Sequence, residues 1–464
     1  MANSSSHISV RIAFIGGGSL NWAPELMASL AYDTRLQAEV RLYDTDFPAA
    51  ERNAAIGARY AEVSRGCAAT YLPCPTIEAA LTGADVVVIS ILPGRFEDMG
   101  HDLSIPASYG IPQAVGDTVG PGGIVRAIRA IPMLADIATA IRDVAPDAYV
   151  CNLTNPMSAL TGALYAAFPQ IKAWGECHEV TKIRRMVASI ANDAEGGETY
   201  SFRDVEVNVL GINHFTFADR ITLRGRDMMP AYSAFVAAQG AKGWHQTEPD
   251  ADKEHRKYFG TRNLVAFDLL RRFGLPAAAG DRHLAEFLPV ADYLADPARW
   301  GFALTPIDYR IRDRAAKLEK AEALKMGRIA PHVKPSNESL IEQITALKGG
   351  GVFMDNVNLP NRGQVGGLPS GAIVESNAVF SGLGIAPVPA GKLPVALEDI
   401  VAPHAQRQSA LVPAVLNGDR AALFALFHQD PLVALLPTKT AKEMFNQMLA
   451  ATNHWLPENL KGAA

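Results

Sequence analysis

The chain has 464 residues, 43 Lys+Arg against 48 Asp+Glu, a formal net charge of −5 and 48% hydrophobic residues. This balance excludes a disordered or low-complexity chain and carries no basic footprint for nucleic acid. The length predicts about two or three domains, or one large α/β enzyme. In chain order, Ser9–Ile15 reads as a strand that ends in Gly16-Gly17-Gly18, and Trp22–Tyr32 as a helix. Glu39–Tyr43 is a second strand, ending at Asp44. The run from Asp85 to Ile91 is almost continuously apolar, as in a strand buried on both faces. It stops well short of the roughly 18–20 residues a membrane span needs, so no membrane partner is expected. Ile124, Ile128, Ile131, Leu134, Ile137 and Ile141 recur in steps of three and four, which marks a helix face. Tyr149–Leu153 is a further strand, and the repeated strand–helix–strand order predicts a parallel doubly wound sheet.

Beyond residue 200 the text changes. Val205–Ile212 and Phe215–Leu223 alternate like half-buried strands. After Trp244 the chain reads as mostly helical, with Arg312–Lys325 as a solvated face. A Gly/Pro/Asn-rich stretch, Gly349–Gly371, interrupts the helices, and Ala405–Asn453 reads as two or three amphipathic helices. The predicted division is a nucleotide domain over 8–200 and a substrate domain over 201–464. Residues 1–7 have neither the basic nor the apolar region of a signal peptide. Cys67, Cys74, Cys151 and Cys177 are too few for a disulfide scaffold, so the cytoplasm is the expected compartment.

Ile12-Ala-Phe-Ile-Gly16-Gly17-Gly18-Ser19 closes a strand and opens a helix. Glycines there let the backbone approach a pyrophosphate, which then rests on the helix N-terminus. Asn21 stands where the third glycine of G-x-G-x-x-G falls. Asp44 ends the second strand, where an acid accepts ribose hydroxyls and repels a 2′-phosphate, so the expected cofactor is NAD. Three polar phrases follow: Asn152-Leu-Thr-Asn155-Pro156, Gly175-Glu-Cys177-His178-Glu179 and Gly211-Ile-Asn213-His214-Phe215. Cys177 and His214 together could ligate one divalent metal. Read singly, Cys177 is better taken as a small buried hydrophobe and His214 as a satisfied core residue.

With Gly116-Asp-Thr-Val-Gly-Pro-Gly-Gly123, these phrases resemble glycoside hydrolase family 4, the NAD- and manganese-dependent glycosidases, from about Ile12 to about Asn453. Cys177-His178-Glu179-Val180 and Gly280-Asp-Arg-His-Leu-Ala-Glu-Phe-Leu-Pro289 look like its α-galacturonidase branch. The resemblance implies a Rossmann-like parallel sheet with a second α+β substrate domain, lactate/malate dehydrogenase-like overall. It implies Gly16, Gly17, Gly18, Ser19 and Asp44 for NAD, and Cys177 and His214 for Mn2+. Asn155, Arg282 and His283 fall among the substrate contacts, Arg282 as partner for a uronate carboxylate. Asp117 matches an acid that raises the basicity of a catalytic tyrosine; Tyr258 is the tyrosine in the expected stretch, with His255 in reserve. His178 follows the ligand cysteine, where relatives carry a general acid. Phospho-sugar members have an arginine where Met99 stands, with Arg95 nearby, which favours an unphosphorylated uronate.

The implied chemistry is hydride removal from sugar carbon 3, proton removal from carbon 2, elimination, addition of water and return of the hydride. A uronic acid glycoside is the expected ligand, and a homodimer or homotetramer the expected assembly. Rival readings are an α-glucuronidase, α-galactosidase or α-glucosidase of the same family, a plain NAD-dependent hydroxy-acid or sugar dehydrogenase, and a non-catalytic nucleotide sensor.

Overall fold

Parallel strands organise the first half of the computed structural model, which describes residues 7–66, 68–245, 252–334 and 339–461. Cys67 lies outside the described residues. The strands are β1 (Ile8–Ile15), β2 (Leu36–Tyr43), β3 (Thr70–Cys74), β4 (Val86–Ile89), β5 (Tyr149–Asn152) and β6 (Lys172–Gly175), in the order β3-β2-β1-β4-β5-β6. Every neighbouring pair is parallel. Strand order reverses between β1 and β4, which opens a crevice at their carboxyl ends.

Side-chain alternation explains the helices on both faces. Ala13, Ile15, Val87, Ile89 and Val150 belong to one apolar cluster, with the helix Gly120–Val144. Val10, Ile12, Phe14, Val86, Val88 and Cys151 belong to the other, with the helices Trp22–Tyr32 and Phe47–Glu62. All four β4 residues are fully buried. Each such side chain contributes about 2 kcal/mol relative to exposure, so a continuous apolar run is what this central strand requires.

The second half continues the same sheet. β7 (Val205–Ile212) and β8 (Phe215–Leu223) fall where strands were expected, and a short β9 (Arg226–Asp227), not anticipated, follows them. β10 (Phe353–Pro360), β11 (Val365–Gly366), β12 (Ile373–Ser381), β13 (Gly384–Pro387) and β14 (Gly391–Lys392) fall where the sequence suggested an irregular interruption and helices. That expectation was wrong for β10 and β12. β10 pairs antiparallel with β6 through Asn358 and Gly175, and β12 bridges β10 to β7. Both strands are mostly buried, yet they place Asn356, Asn358, Glu375, Ser376 and Asn377 inside. Polar side chains at inward positions erase the hydrophobic alternation by which strands are read. β3 was also missed, its apolar content being slight. The C-terminal region forms three helices, Val395–Leu416, Arg420–His428 and Thr438–Ala451. No helix among the described residues is long and apolar enough to cross a membrane.

The carboxyl ends of β1, β2, β5 and β6 deliver the glycine turn, Asp44, the Asn152–Asn155 phrase and the Cys177 phrase to one edge. The β7–β8 hairpin reaches the same edge. Ile212 and Phe215 pair across it, so Asn213 and His214 are its two loop residues. His214 has φ 64°. A glycine or asparagine is usual at such a position, and the strain costs of order 1 kcal/mol.

Candidate active site

The glycine turn is almost fully satisfied by its own surroundings. Gly16 and Gly17 donate to the Tyr43 carbonyl at 2.9 and 2.8 Å, and Ser19 donates to the Gly16 carbonyl at 2.9 Å. Gly18 donates to Asp44 Oδ2 at 2.8 Å, while Asp44 Oδ1 accepts from the Asp46 amide at 2.9 Å. On the other side, Asn53 donates to the Gly17 and Ser19 carbonyls and Arg52 to the Gly18 carbonyl. Gly16 has φ +93°, and a Cβ there would lie 2.0 Å from the Ser90 carbonyl oxygen. Asp44 therefore fixes the turn, and each carboxylate oxygen keeps a second lone pair for a ligand.

Further along the edge the side chains are less settled. The ligand-capable atoms of Asp117, His214 and His283 all lie within 4.8 Å of one another. The two imidazoles face each other with ring centroids 3.8 Å apart. Thr118 Oγ1 lies 3.0 Å from His214 Nδ1 and donates to Asp117 at 2.8 Å. Burial alone would raise the Asp117 carboxyl, but His283, Arg126 and His214 outweigh it and hold it at about 2. Burial depresses both histidines and so favours the neutral ring, the form able to ligate a cation.

Cys177 lies outside that group of three. Its thiol is hydrogen-bonded to the Asn213 side chain, and burial pushes it up, with Glu375 and Glu179 adding to the effect. Glu375 accepts from Asn213 at 3.3 Å and from Asn356 at 3.1 Å. Burial raises the Glu375 carboxyl to about 7 against those hydrogen bonds. Burial would raise Glu179 too, but Lys182 and then His283 and His178 keep it well below the usual range. Its Oε2 accepts from the Gly280 amide at 2.8 Å, tying the Cys177 phrase to the Gly280 phrase. A dication among these carboxylates would lower the thiol and favour the thiolate.

Arg282 is buried; it donates to the Ala114 carbonyl at 2.9 Å and to Thr305, and its guanidinium lies 4.8 Å from the Phe259 ring centroid. Asn155 presents its carbonyl to Arg126 Nε at 3.1 Å. Several buried polar atoms have no partner among the described residues: Asn155 Oδ1, Asn213 Oδ1, Arg282 Nε, His283 Nδ1, Arg310 Nε and Asn358 Oδ1. Native interiors leave few such atoms, and a cluster of them marks a place where a ligand completes the set.

His178 is half-exposed, 3.9 Å from Glu179, with its ring 6.0 Å from that of Trp22. It thus stands at the mouth, between the β6 end and the helix after the glycine turn. Tyr258 lies in the short helix Lys253–Phe259 and packs on Tyr309 at 5.0 Å. Its neighbour Phe259 carries Arg282, which brings this segment to the rim of the pocket. His255 stacks on Phe259 at 4.7 Å. Met99 is buried and apolar, and Arg95 is exposed beside Asp98. Reading the sequence missed Glu375, Asn356, Asn358, Arg126, Glu286 and Arg310. Glu286 sat within the Gly280–Pro289 phrase but drew no role; its carboxylate accepts from the Val115 amide at 2.6 Å and the Gly116 amide at 3.1 Å.

This is a parallel-sheet crevice pairing a glycine turn with a metal-capable, arginine-rich pocket. The profile of family 4 glycosyl hydrolases matches residues 11–193, and that of their C-terminal domain residues 209–433. The chain belongs to the family 4 glycosyl hydrolases. It is 44% identical to the α-galacturonidase of Thermoanaerobacterium saccharolyticum over 453 residues, 96% of each chain. It is 44% identical to that of Bacillus subtilis, over 95% of this chain and 97% of the relative. The crystal structure of lplD from Bacillus subtilis superposes with a TM-score of 0.90 at 43% identity, covering 95% of this chain and all 100% of that one.

Proposed function

We propose that this chain hydrolyses α-galacturonosides, with NAD and a divalent cation, manganese in the first instance, as cofactors. The observation that carries this reading is the near-full-length similarity to α-galacturonidases. The residues fit both groups. The glycine turn admits no Cβ at Gly16, and Asp44 stands at the ribose position. Cys177 and His214 are the proposed metal ligands, with the Asp117 and His283 atoms within reach and His283 Nδ1 unpartnered. When bound, the dinucleotide supplies reversible hydride acceptance and the cation supplies Lewis acidity at the sugar hydroxyls.

The chain's own groups do the rest. Asn155, with its buried unpartnered Oδ1, orients a sugar hydroxyl. Tyr258, at the rim, removes the proton from sugar carbon 2, and Asp117, held ionised, favours that transfer. His178, half-exposed at the mouth, protonates the leaving oxygen. The buried wall of Phe215, Phe287 and His404 under the pocket keeps water out from below. We assign the nucleotide role to 8–200 and the substrate role to 201–464. A thiol ligand suits the reducing cytoplasm, and a homodimer or homotetramer is the proposed assembly.

The test supplies p-nitrophenyl α-galacturonide, α-glucuronide, α-galactoside and phospho-glucosides with NAD+ and Mn2+. The expected result is preference for the galacturonide, solvent deuterium incorporated at carbon 2 and no bulk NADH. Preference for a phospho-sugar, or stoichiometric NADH, would overturn the reading.

A further inference from the structure

Elsewhere in this fold, the buried Arg129 and the partly buried Arg184 meet acids directly, and the buried Arg407 lies 3.9 Å from Asp430. Arg129 is fully buried and forms a two-pronged ion pair with Asp102, one prong at 2.9 Å. Arg184 meets Asp355 at 3.1 Å. Arg126, Arg282 and Arg310 break that pattern. They come from separate helices, Gly120–Val144, Asp281–Leu284 and Ile307–Lys325. All three feel Asp117, and Arg282 and Arg310 also feel Glu286 and each other. Yet the donors of Arg126 and Arg282 go to carbonyls and a hydroxyl. The Arg310 side chain makes no hydrogen bond or ion pair among the described residues, and its buried Nε is unpartnered.

The nearby acids are engaged elsewhere: Asp313 pairs with Lys317 at 2.7 Å, Glu179 with Lys182 at 2.8 Å and Asp102 with Arg129. Both Glu286 oxygens accept from the Val115–Gly116 backbone and Gln113. Asp117 accepts from Thr118 and belongs to the group it forms with His214 and His283. Burial lowers Arg126 and Arg282 to about 10 and lowers Arg310 as well, so desolvation outweighs the acids present. A surplus of buried positive charge with free donors is a site waiting for an anion.

We infer that Arg310, with Arg282 and Arg126 beside it, forms the subsite for the carbon-6 carboxylate of the uronosyl residue. The inference rests on the uronide reading above and names the residue that enforces it. Asp117 acts on both the histidine group and the arginine group, so the two lie within electrostatic reach of one carboxylate. Carbons 2 and 3 face the histidines while carbon 6 faces the guanidinium. The planar fork of Arg310 matches a carboxylate with two parallel hydrogen bonds. A hydroxymethyl group in the same place leaves those donors unpaired, which is how such a site rejects a neutral sugar. Met99, buried and apolar, offers no help to a phosphate.

The experiment compares wild type, Arg310→Met and Arg310→Lys, each loaded with NAD+ and Mn2+. kcat/KM is measured on p-nitrophenyl α-galacturonide, α-glucuronide and α-galactoside, and binding of D-galacturonate and D-galactose by calorimetry. In Arg310→Met the galacturonide-to-galactoside ratio of kcat/KM falls about a hundredfold, and galacturonate binding weakens in step. Arg310→Lys recovers part of both. If wild type prefers the galacturonide and Arg310→Met keeps that preference, the Arg310 assignment is overturned while the substrate reading stands. If wild type prefers an α-glucuronide and Arg310→Met loses that preference, the galacturonide reading falls while the carboxylate subsite stands. A wild-type protein that binds galacturonate no better than galactose overturns both. Misfolding is excluded by the variants' circular dichroism and by NAD+ binding equal to wild type.

Discussion

The glycine turn after β1 and the pocket beyond β6 are built by opposite means. In the turn, backbone donors and carbonyls are satisfied from within, by Tyr43, Asp44, Arg52 and Asn53, and only Arg52 Nε and Asn53 Oδ1 among these supports are left unpartnered. In the pocket, buried side-chain atoms from strands and helices far apart in sequence are left unpartnered. A saturated turn is a rigid surface whose shape does the recognising. An unsaturated pocket is a set of unmet donors, acceptors and charges, and only the right ligand meets them. One is a product of folding; the other is maintained at a cost in stability.

This contrast says which mutations should damage function alone and which should damage the fold. The largest effect expected is in the pocket. His214→Ala should weaken Mn2+ binding and lower kcat/KM by about a thousandfold, well beyond the 10–100-fold typical of groups that merely support a ligand. Its melting temperature should change little. Metal content after gel filtration, read beside the melting curve, checks both; retained metal affinity would remove His214 from the site.

In the turn, loss of binding and loss of fold should go together. Gly16→Ala places a Cβ 2.0 Å from the Ser90 carbonyl at φ +93°. The expected cost is about 3 kcal/mol of stability with loss of NAD+ binding. A denaturant midpoint equal to wild type would show the turn to be more adaptable than its hydrogen bonds suggest.

The core beneath the pocket should respond to acid. His404 lies buried, its Nε2 2.8 Å from the Phe287 carbonyl and its Nδ1 2.7 Å from the Arg407 guanidinium. Burial pushes it down to about 3, with Arg407 adding to the effect. The unfolded chain takes a proton near pH 6.5 that the folded chain refuses until about pH 3. Stability from this residue is thus complete above pH 6.5 and is lost as pH falls toward 3. By pH 5 the loss is about 2 kcal/mol. His404→Gln should flatten that part of the stability–pH curve; an unchanged slope would assign the acid sensitivity elsewhere.

The smallest effect has the opposite sign. Arg310→Met should stabilise the ligand-free protein by about 1 kcal/mol, because it removes a buried charge without a hydrogen-bonded partner. Unfolding followed with and without galacturonate would show the gain only in its absence. A destabilised variant would mean that Arg310 is held by the fold and not kept for a ligand.

Legibility followed the same division. The strand-to-helix glycine turn and Asp44 could be read directly, because local spacing carries the reason for both. β7 and β8 could be read from alternation, and His214 stood out as a polar residue breaking two apolar runs. Glu375 and Asn356 could not be read, because β10 and β12 carry polar residues on positions that face inward. Arg310 drew no role, lying two residues before the Arg312–Lys325 stretch read as a solvated face. The helix Ile307–Lys325 is placed by packing on Phe47–Glu62 and Phe96–Ser108, contacts that no local pattern announces.

Sequence by itself determined the parallel sheet, the nucleotide turn and the family, since each is written in short contiguous patterns with a local physical cause. Tertiary structure alone decided which histidines meet Asp117, which glutamates are pushed up by burial and which arginine is left without a partner. Those properties depend on dielectric surroundings and on distances between remote segments, and no residue's identity carries either until the chain has closed around it.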